Sequence, residues 1–282
     1  MRTTKLLIIL ILALGVVLSA ACLDEDEEQT KVKVIYAGSL FVPFGALEQA
    51  FESTYPGIDA ELEGHGSIQS IRHITEIHEE FDVIAVADDS LIPAMMYPEY
   101  ADWYVRFGEN QMVIMYSNTS LYADEINESN WYEILARPGV TFGFSNPMLD
   151  ASGYRTLTLI PLAELYYEDP MIFDELIAQH FQPTVEVLEE EDGRYSVIVP
   201  EIFEPQGDKI AIRGGSVQLL ALLDFGGIDY AFGYKSVALQ HGLRYLELPP
   251  ELDLSSAEYS EYYRQVTVKM GFQRFKSVEI DR

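Results

Sequence analysis

One cysteine, Cys22, stands in 282 residues, so no disulfide forms within the chain. Cations are scarce too: 18 Lys and Arg face 46 Asp and Glu, for a formal net charge of −28. That balance excludes nucleic acid and an anionic membrane surface as the main partner, because both would be repelled by a solvated acidic surface. No G-x-S-x-G elbow and no H-E-x-x-H pair occurs, which removes the commonest hydrolase and metalloprotease signatures. No tandem period of 20–50 residues is visible, so a solenoid or propeller is excluded. What remains is 48% hydrophobic and 12% aromatic, enough to fill the cores of two lobes.

The N-terminus reads as an export signal. Arg2 and Lys5 precede sixteen apolar or small residues, Leu6 to Ala21, and then Cys22. A spanning helix needs about 20 apolar residues, whereas "VVLSAAC" has the small residues of a cleavage site. "SAAC" resembles a bacterial-type lipobox, which implies a signal peptide over 1–21 and a lipid on the sulfur of Cys22. An uncleaved N-terminal anchor is the alternative. Either places the domain at the outer face of the cell membrane, held by the lipid or anchor. Residues 22–31, with "DEDEEQT", read as a solvated tether.

From Val32 the pattern alternates strand and helix, which predicts an α/β fold. "KVKVIYA", "IDAELEG" and "FDVIAVA" read as strands. Between them lie a helix from Leu40 to Tyr55, with Leu40, Phe44, Leu47 and Phe51 on one face, and a helix from Ser67 to His78. A second series follows: "VTFGFSN", the helix through "PMLDASGYRTLTLIPLAELYY", "KIAIRGG", "SVQLLALLDFGG" and "IDYAFGY". "VEVLEEEDGRYSVIV" reads as a strand pair about an Asp192-Gly193 turn.

Gly-Ser recurs where predicted strands turn into helices, at Gly38-Ser39, Gly66-Ser67 and Gly215-Ser216. A helix start carries unpaired N–H groups and a partial positive charge, and glycine lets an anion approach them. In open α/β sheets such starts lie at the carboxyl ends of strands, where ligands bind. "SNPMLDASGYR" offers a fourth start with Asp150 and Ser152, and Tyr234 ends a strand with a hydroxyl that can donate. Ordinary N-capping accounts for any one of these starts taken alone. Arg155 and Arg213 lie near in sequence and read equally as partners of the abundant carboxylates. His65, His73 and His78, with Glu76, Glu79 and Glu80, invite a metal. The spacing of five from His73 to His78 does not share a helix face, so a solvated helix is the reading and no metal or cofactor is expected.

"AGSLFVPFGALEQAFESTYPGIDAELEGHGSIQSIRHITE", "SLIPAMMYPEYADWYVRFGENQMV", "FGFSNP", "LAELYY" and "DYAFGYKSVALQHGLRYLELP" together resemble the archaeal tungstate/molybdate-binding component of ABC transporters, from Val32 to past Pro250. The resemblance implies a type II periplasmic-binding-protein fold, two α/β lobes joined by two crossovers with an oxyanion clamped between them. It implies lobe I at 32–114 and 238–282, lobe II at 115–237, and crossovers near Val113–Tyr116 and Tyr234–Ala238. The family's oxyanion contacts fall on Gly38, Ser39 and Ser67 in the first lobe and on Asp150, Ala151, Ser152, Ser216 and Tyr234 in the second. Ser216 stands where the resemblance leads one to expect a glutamate, which favours a hydrogen-bonded, tetrahedral oxyanion. The partners implied are a small oxyanion, an ABC permease and its ATPase, with no enzymatic activity. The family also implies a further strand and helices returning to the first lobe, so apolar surface and a sheet edge are expected to lie exposed there. Two alternatives stay open: a binder of another tetrahedral oxyanion such as sulfate, and a non-transporting extracellular interaction or sensor protein.

Overall fold

The computed structural model describes residues 29–272 and the backbone of 275–280. The expected signal peptide, Cys22 and most of the expected acidic tether lie outside the described residues.

Parallel pairing builds the first lobe. Strands β1 (Thr30–Ala37), β2 (Ile58–His65) and β3 (Val83–Ala85) lie in the order β2-β1-β3, both pairs parallel. Each connection must cross over the sheet, and helices do this: α1 (Phe41–Thr54), entered through a one-turn 3-10 segment at Gly38–Leu40, and α2 (Ser67–Thr75). Ile68 and Ile71 of α2 are fully buried, as their spacing predicts, while Ile77 falls beyond the helix and is 58% exposed. The α1 prediction holds for the helix but not for its apolar face: no residue of α1 is buried, and Leu47 is 58% exposed. Among the described residues β3 pairs only with β1, so its other edge is unpaired.

After α3 (Leu91–Met95) the chain enters the second lobe at β4 (Met112–Tyr116), every residue of which is buried. Then come α4 (Trp131–Ala136), β5 (Phe142–Ser145), α5 (Ala151–Tyr167) and α6 (Ile172–Leu176). The β6 (Glu186–Glu189) and β7 (Tyr195–Val199) hairpin closes through Gly193 at φ 82°, the turn read from Asp192-Gly193. Next are β8 (Ile210–Arg213), α7 (Gln218–Asp224), β9 (Tyr230–Tyr234), α8 (Lys235–His241) and β10 (Arg244–Glu247), then α9 (Ser260–Tyr263), β11 (Val266–Phe272) and β12 (Phe275–Ile280). A mixed sheet runs β10-β4-β9-β5-β8 and a second one β12-β11-β7-β6. Helix α5 packs against strands of both sheets and buries twelve residues, as a helix apolar on most sides must.

Two expectations are corrected here. β4 and β9 are antiparallel neighbours inside the five-stranded sheet, and Tyr234–Ala238 leads into α8 and β10, which pairs with β4. Residues 238–272 therefore pack on the second lobe, with β11 beside β7, and among the described residues no strand after Tyr234 pairs with the first lobe's sheet. The physical reason is the buried edge of β4, which "LRYLE" completes in an antiparallel register from Arg244 to Glu247.

Candidate functional site

Because β1, β2 and β3 are parallel, their carboxyl ends deliver Gly38-Ser39, Gly66-Ser67 and the loop at Asp88 to one rim of the first lobe. Parallel β5, β8 and β9 do the same for Asp150, Ser216 and Tyr234. The two rims face each other and touch. The Gln69 N–H donates to Leu149 O (3.0 Å), from one lobe to the other. A Cβ at Gly66 would lie 2.3 Å from Leu149 O and 2.9 Å from Asp150 Cβ, so this close approach requires glycine.

Asp150 is the point of convergence. It precedes the first residue of α5 with an extended backbone (φ −139°, ψ 141°) and is 4% exposed, yet its carboxylate does not cap its own helix. Oδ1 instead accepts from the Ser67 N–H across the seam (3.4 Å), and Oδ2 accepts from the Ser216 N–H (3.3 Å) and the Ser152 hydroxyl (2.9 Å). Ser152 in turn shares a 2.6 Å hydrogen bond with Ser145. Four of the residues singled out in the sequence thus meet at one carboxylate. Ala151 is buried as the first residue of α5. Gly38 faces Val217 of the opposite lobe, whose Cγ2 would be 3.7 Å from a Cβ there. The Ser67 hydroxyl also ties the first lobe to itself by accepting from the Ala87 N–H (3.0 Å).

Ser39 and Tyr234 lie beside that cluster, lining an open interlobe cleft of about 1070 Å³. The cleft is far larger than a four-oxygen anion; the converging N–H groups sit in the closed seam at its side. A cation overlooked as a site residue joins it. Arg155 of α5 donates from Nη1 to the Tyr234 hydroxyl (2.6 Å) and places Nη2 3.1 Å from Asp88 Oδ2, in the other lobe. Tyr154 donates to the same Asp88 oxygen (2.7 Å), and Ser90 donates to Oδ1 through both its N–H and its hydroxyl.

Burial opposes charge on Asp88, but Arg155, Ser90 and Tyr154 outweigh it and hold the carboxyl below its usual range. Burial likewise works against the Arg155 charge, and Tyr234 and Asp88 more than compensate. Burial pushes the Tyr234 phenol well up, with Arg155 pulling the other way. Tyr234 therefore stays protonated and, accepting from Arg155, keeps its own O–H to give. The Arg155 Nε–H is buried with no partner among the described residues. Asp88 and Tyr154 were not singled out in the sequence, although "VADDSL" after the third strand occupies the same strand-end position as the Gly-Ser pairs. Arg213, by contrast, is exposed and donates to the neighbouring Ile212 O.

Residues 32–264 match the family described as bacterial extracellular solute-binding protein. An uncharacterized solute-binding protein of Methanoculleus marisnigri is 46% identical over 85% of this chain and 66% of its own length. The molybdate/tungstate-binding protein WtpA of Thermococcus kodakarensis is 38% identical over 96% of this chain and 78% of its own. The chain spans 66–73% of the length of three such relatives. Among solved structures, the periplasmic molybdate-binding protein of Azotobacter vinelandii superposes with a TM-score of 0.54 at 15% identity, covering 83% of this chain and 90% of that one. The sulfate-binding protein SubI from Mycobacterium tuberculosis gives 0.52 at 12%, covering 84% and 81%. At such identities the likeness is one of fold.

Proposed function

This chain belongs to the bacterial extracellular solute-binding family and has a type II periplasmic-binding-protein fold, and from that premise we propose that it captures tungstate or molybdate between its lobes and delivers it to an ABC permease. Its relatives are solute-binding proteins rather than enzymes. The observation that carries the ligand reading is the convergence of the Ser67 and Ser216 N–H groups and the Ser152 hydroxyl on one carboxylate. Those donors suit a small, oxygen-rich anion. The name of the 38%-identical relative from Thermococcus narrows the anion to molybdate or tungstate.

On capture, the oxyanion takes the Ser67 and Ser216 amides while Asp150 swings aside. Tyr234 and Ser39 donate from the cleft side. Hydrogen bonds to an ionised acceptor are the strong ones, and in a closed seam they are made without competing water. Arg155 supplies the nearby positive charge, which its ion pair with Asp88 holds fixed. Ser216 offers an amide and a hydroxyl where the family resemblance leads one to expect a carboxylate, so the anion stays hydrogen-bonded and four-coordinate. Neutral donors of this kind also suit sulfate, which is the second reading. Attachment to the outer membrane face through Cys22 completes the proposal.

The test is an equilibrium calorimetric titration of the folded, full-length protein with tungstate, molybdate and sulfate. Tight one-to-one binding of the first two, with sulfate at least a hundredfold weaker, is the expected result. Sulfate binding as tightly as tungstate would replace the ligand; no binding of any of the three would overturn the function.

A further inference from the structure

We propose that the first lobe carries a divalent transition-metal site of the zinc type, built by Glu63 and His65 of β2 with His73 of α2, and with Glu79 just beyond α2 as a hydrogen-bond partner of His73. Alternation along a strand puts Glu63 and His65 on the same face of β2, which is an edge strand. The Gly66 turn then folds α2 back, so that the His73 ring stacks on His65 with centroids 4.4 Å apart. One ligand atom from each of Glu63, His65 and His73 lies within 4.8 Å of those of the other two.

Glu63 and Glu79 each hydrogen-bond one of the two imidazoles. Glu63 Oε1 is 2.6 Å from His65 Nε2 and 3.9 Å from His73 Nδ1, and Glu79 Oε2 is 2.7 Å from the same Nδ1. Ligands about 2.0–2.1 Å from a tetrahedral Zn²⁺ stand about 3.4 Å from one another, so the Glu63–His65 pair opens by under about 1 Å and the Glu63–His73 pair closes by about half an ångström to admit the ion. One carboxylate and two imidazoles fill three positions of a tetrahedral ion and leave the fourth to water, and mixed nitrogen and oxygen donors favour zinc over calcium or magnesium. Both histidines are partly buried while both glutamates are about half exposed, which holds the imidazoles in place and leaves a path for the ion. The neighbouring cation on α2, Arg72, is held by Glu76 (2.8 Å). A net charge of −28 raises the local concentration of cations further. The sequence grouped His65, His73 and His78 and set a metal aside on the spacing of five; the structure leaves His78 out and brings His65 and His73 together across the turn.

The experiment is a titration of the full-length, tag-free protein with Zn²⁺ by calorimetry and with Co²⁺ by visible absorption, alongside His73→Gln and His65→Gln. One equivalent of Zn²⁺ bound at micromolar affinity or better, tetrahedral Co²⁺ bands, and at least a tenfold loss in each variant are expected. Both substitutions lie at partly exposed positions, and circular dichroism verifies that each variant is folded. No saturable binding overturns the site. So does binding that survives both substitutions, because it would belong to the acidic surface at large.

Discussion

Gly66 and Asp150 are the residues on which the closed seam depends. Any side chain at Gly66 meets the Leu149 carbonyl at 2.3 Å, a contact that exists only when the lobes are together. Gly66→Ala is therefore expected to leave the melting temperature within a few degrees of wild type while weakening oxyanion binding at least tenfold. Asp88 and Arg155 behave differently, because both are buried. Arg155→Met leaves the buried Asp88 carboxylate without its cation, though still hydrogen-bonded by Ser90 and Tyr154, and is expected to cost about 3–5 kcal/mol, and adding Asp88→Leu recovers part of that loss; chemical denaturation measures both. A third residue sets a pH dependence. Burial pushes the Glu164 carboxyl up to about 7 from an ordinary 4.5, against the hydrogen bond it accepts from the Phe173 N–H. The folded chain keeps this proton where the unfolded chain has released it, so its contribution to stability is full below about 4.5 and is lost as the pH rises to about 7. Glu164→Gln keeps the acceptor and removes the charge. Thermal melts are expected to show a gain of roughly 1–2 kcal/mol at pH 8, after allowance for solvent screening, and little at pH 4.

Helices α1 and α2 divide what was legible in the sequence from what was not. Both start where Gly-Ser follows a strand, and period alone located both. Period says which residues share a face but not whether anything covers it: Ile71 of α2 is fully buried, Leu47 of α1 is 58% exposed. Ile71→Ala is accordingly expected to cost about 2–5 kcal/mol and Leu47→Ala less than about 0.5 kcal/mol, measured by chemical denaturation. The strand-end contacts were legible for a related reason. Gly-Ser after an apolar strand marks a helix start by itself, so Ser67, Asp150, Ser152 and Ser216 were found from local signals. Asp88, Tyr154 and Arg155 carry no such signal, because their roles arise only when one lobe presents a carboxylate to a helix of the other. The fate of the segment after Tyr234 was hidden likewise: "LRYLE" reads as a strand, but only the free edge of β4 decides which sheet takes it.

Two lobes whose contacts include the hydrogen bonds at Leu149 and Asp150 and the buried Asp88–Arg155 ion pair make a molecule whose closure can respond to a small ligand. The acidic surface does not prevent anion capture, since the donors act within the seam while the surface charges are screened within about 10 Å at ordinary salt. Trp103, Val105 and Phe107 of the first lobe are each more than 60% exposed. The capture account rests on the anion being bound by both rims at once. Calorimetric titration of wild type and Gly66→Ala with tungstate tests this most directly. The account predicts tight one-to-one binding by the wild type and at least a tenfold weaker affinity in a variant that melts normally. Equal affinity in the two proteins, or none in the folded wild type, would contradict it.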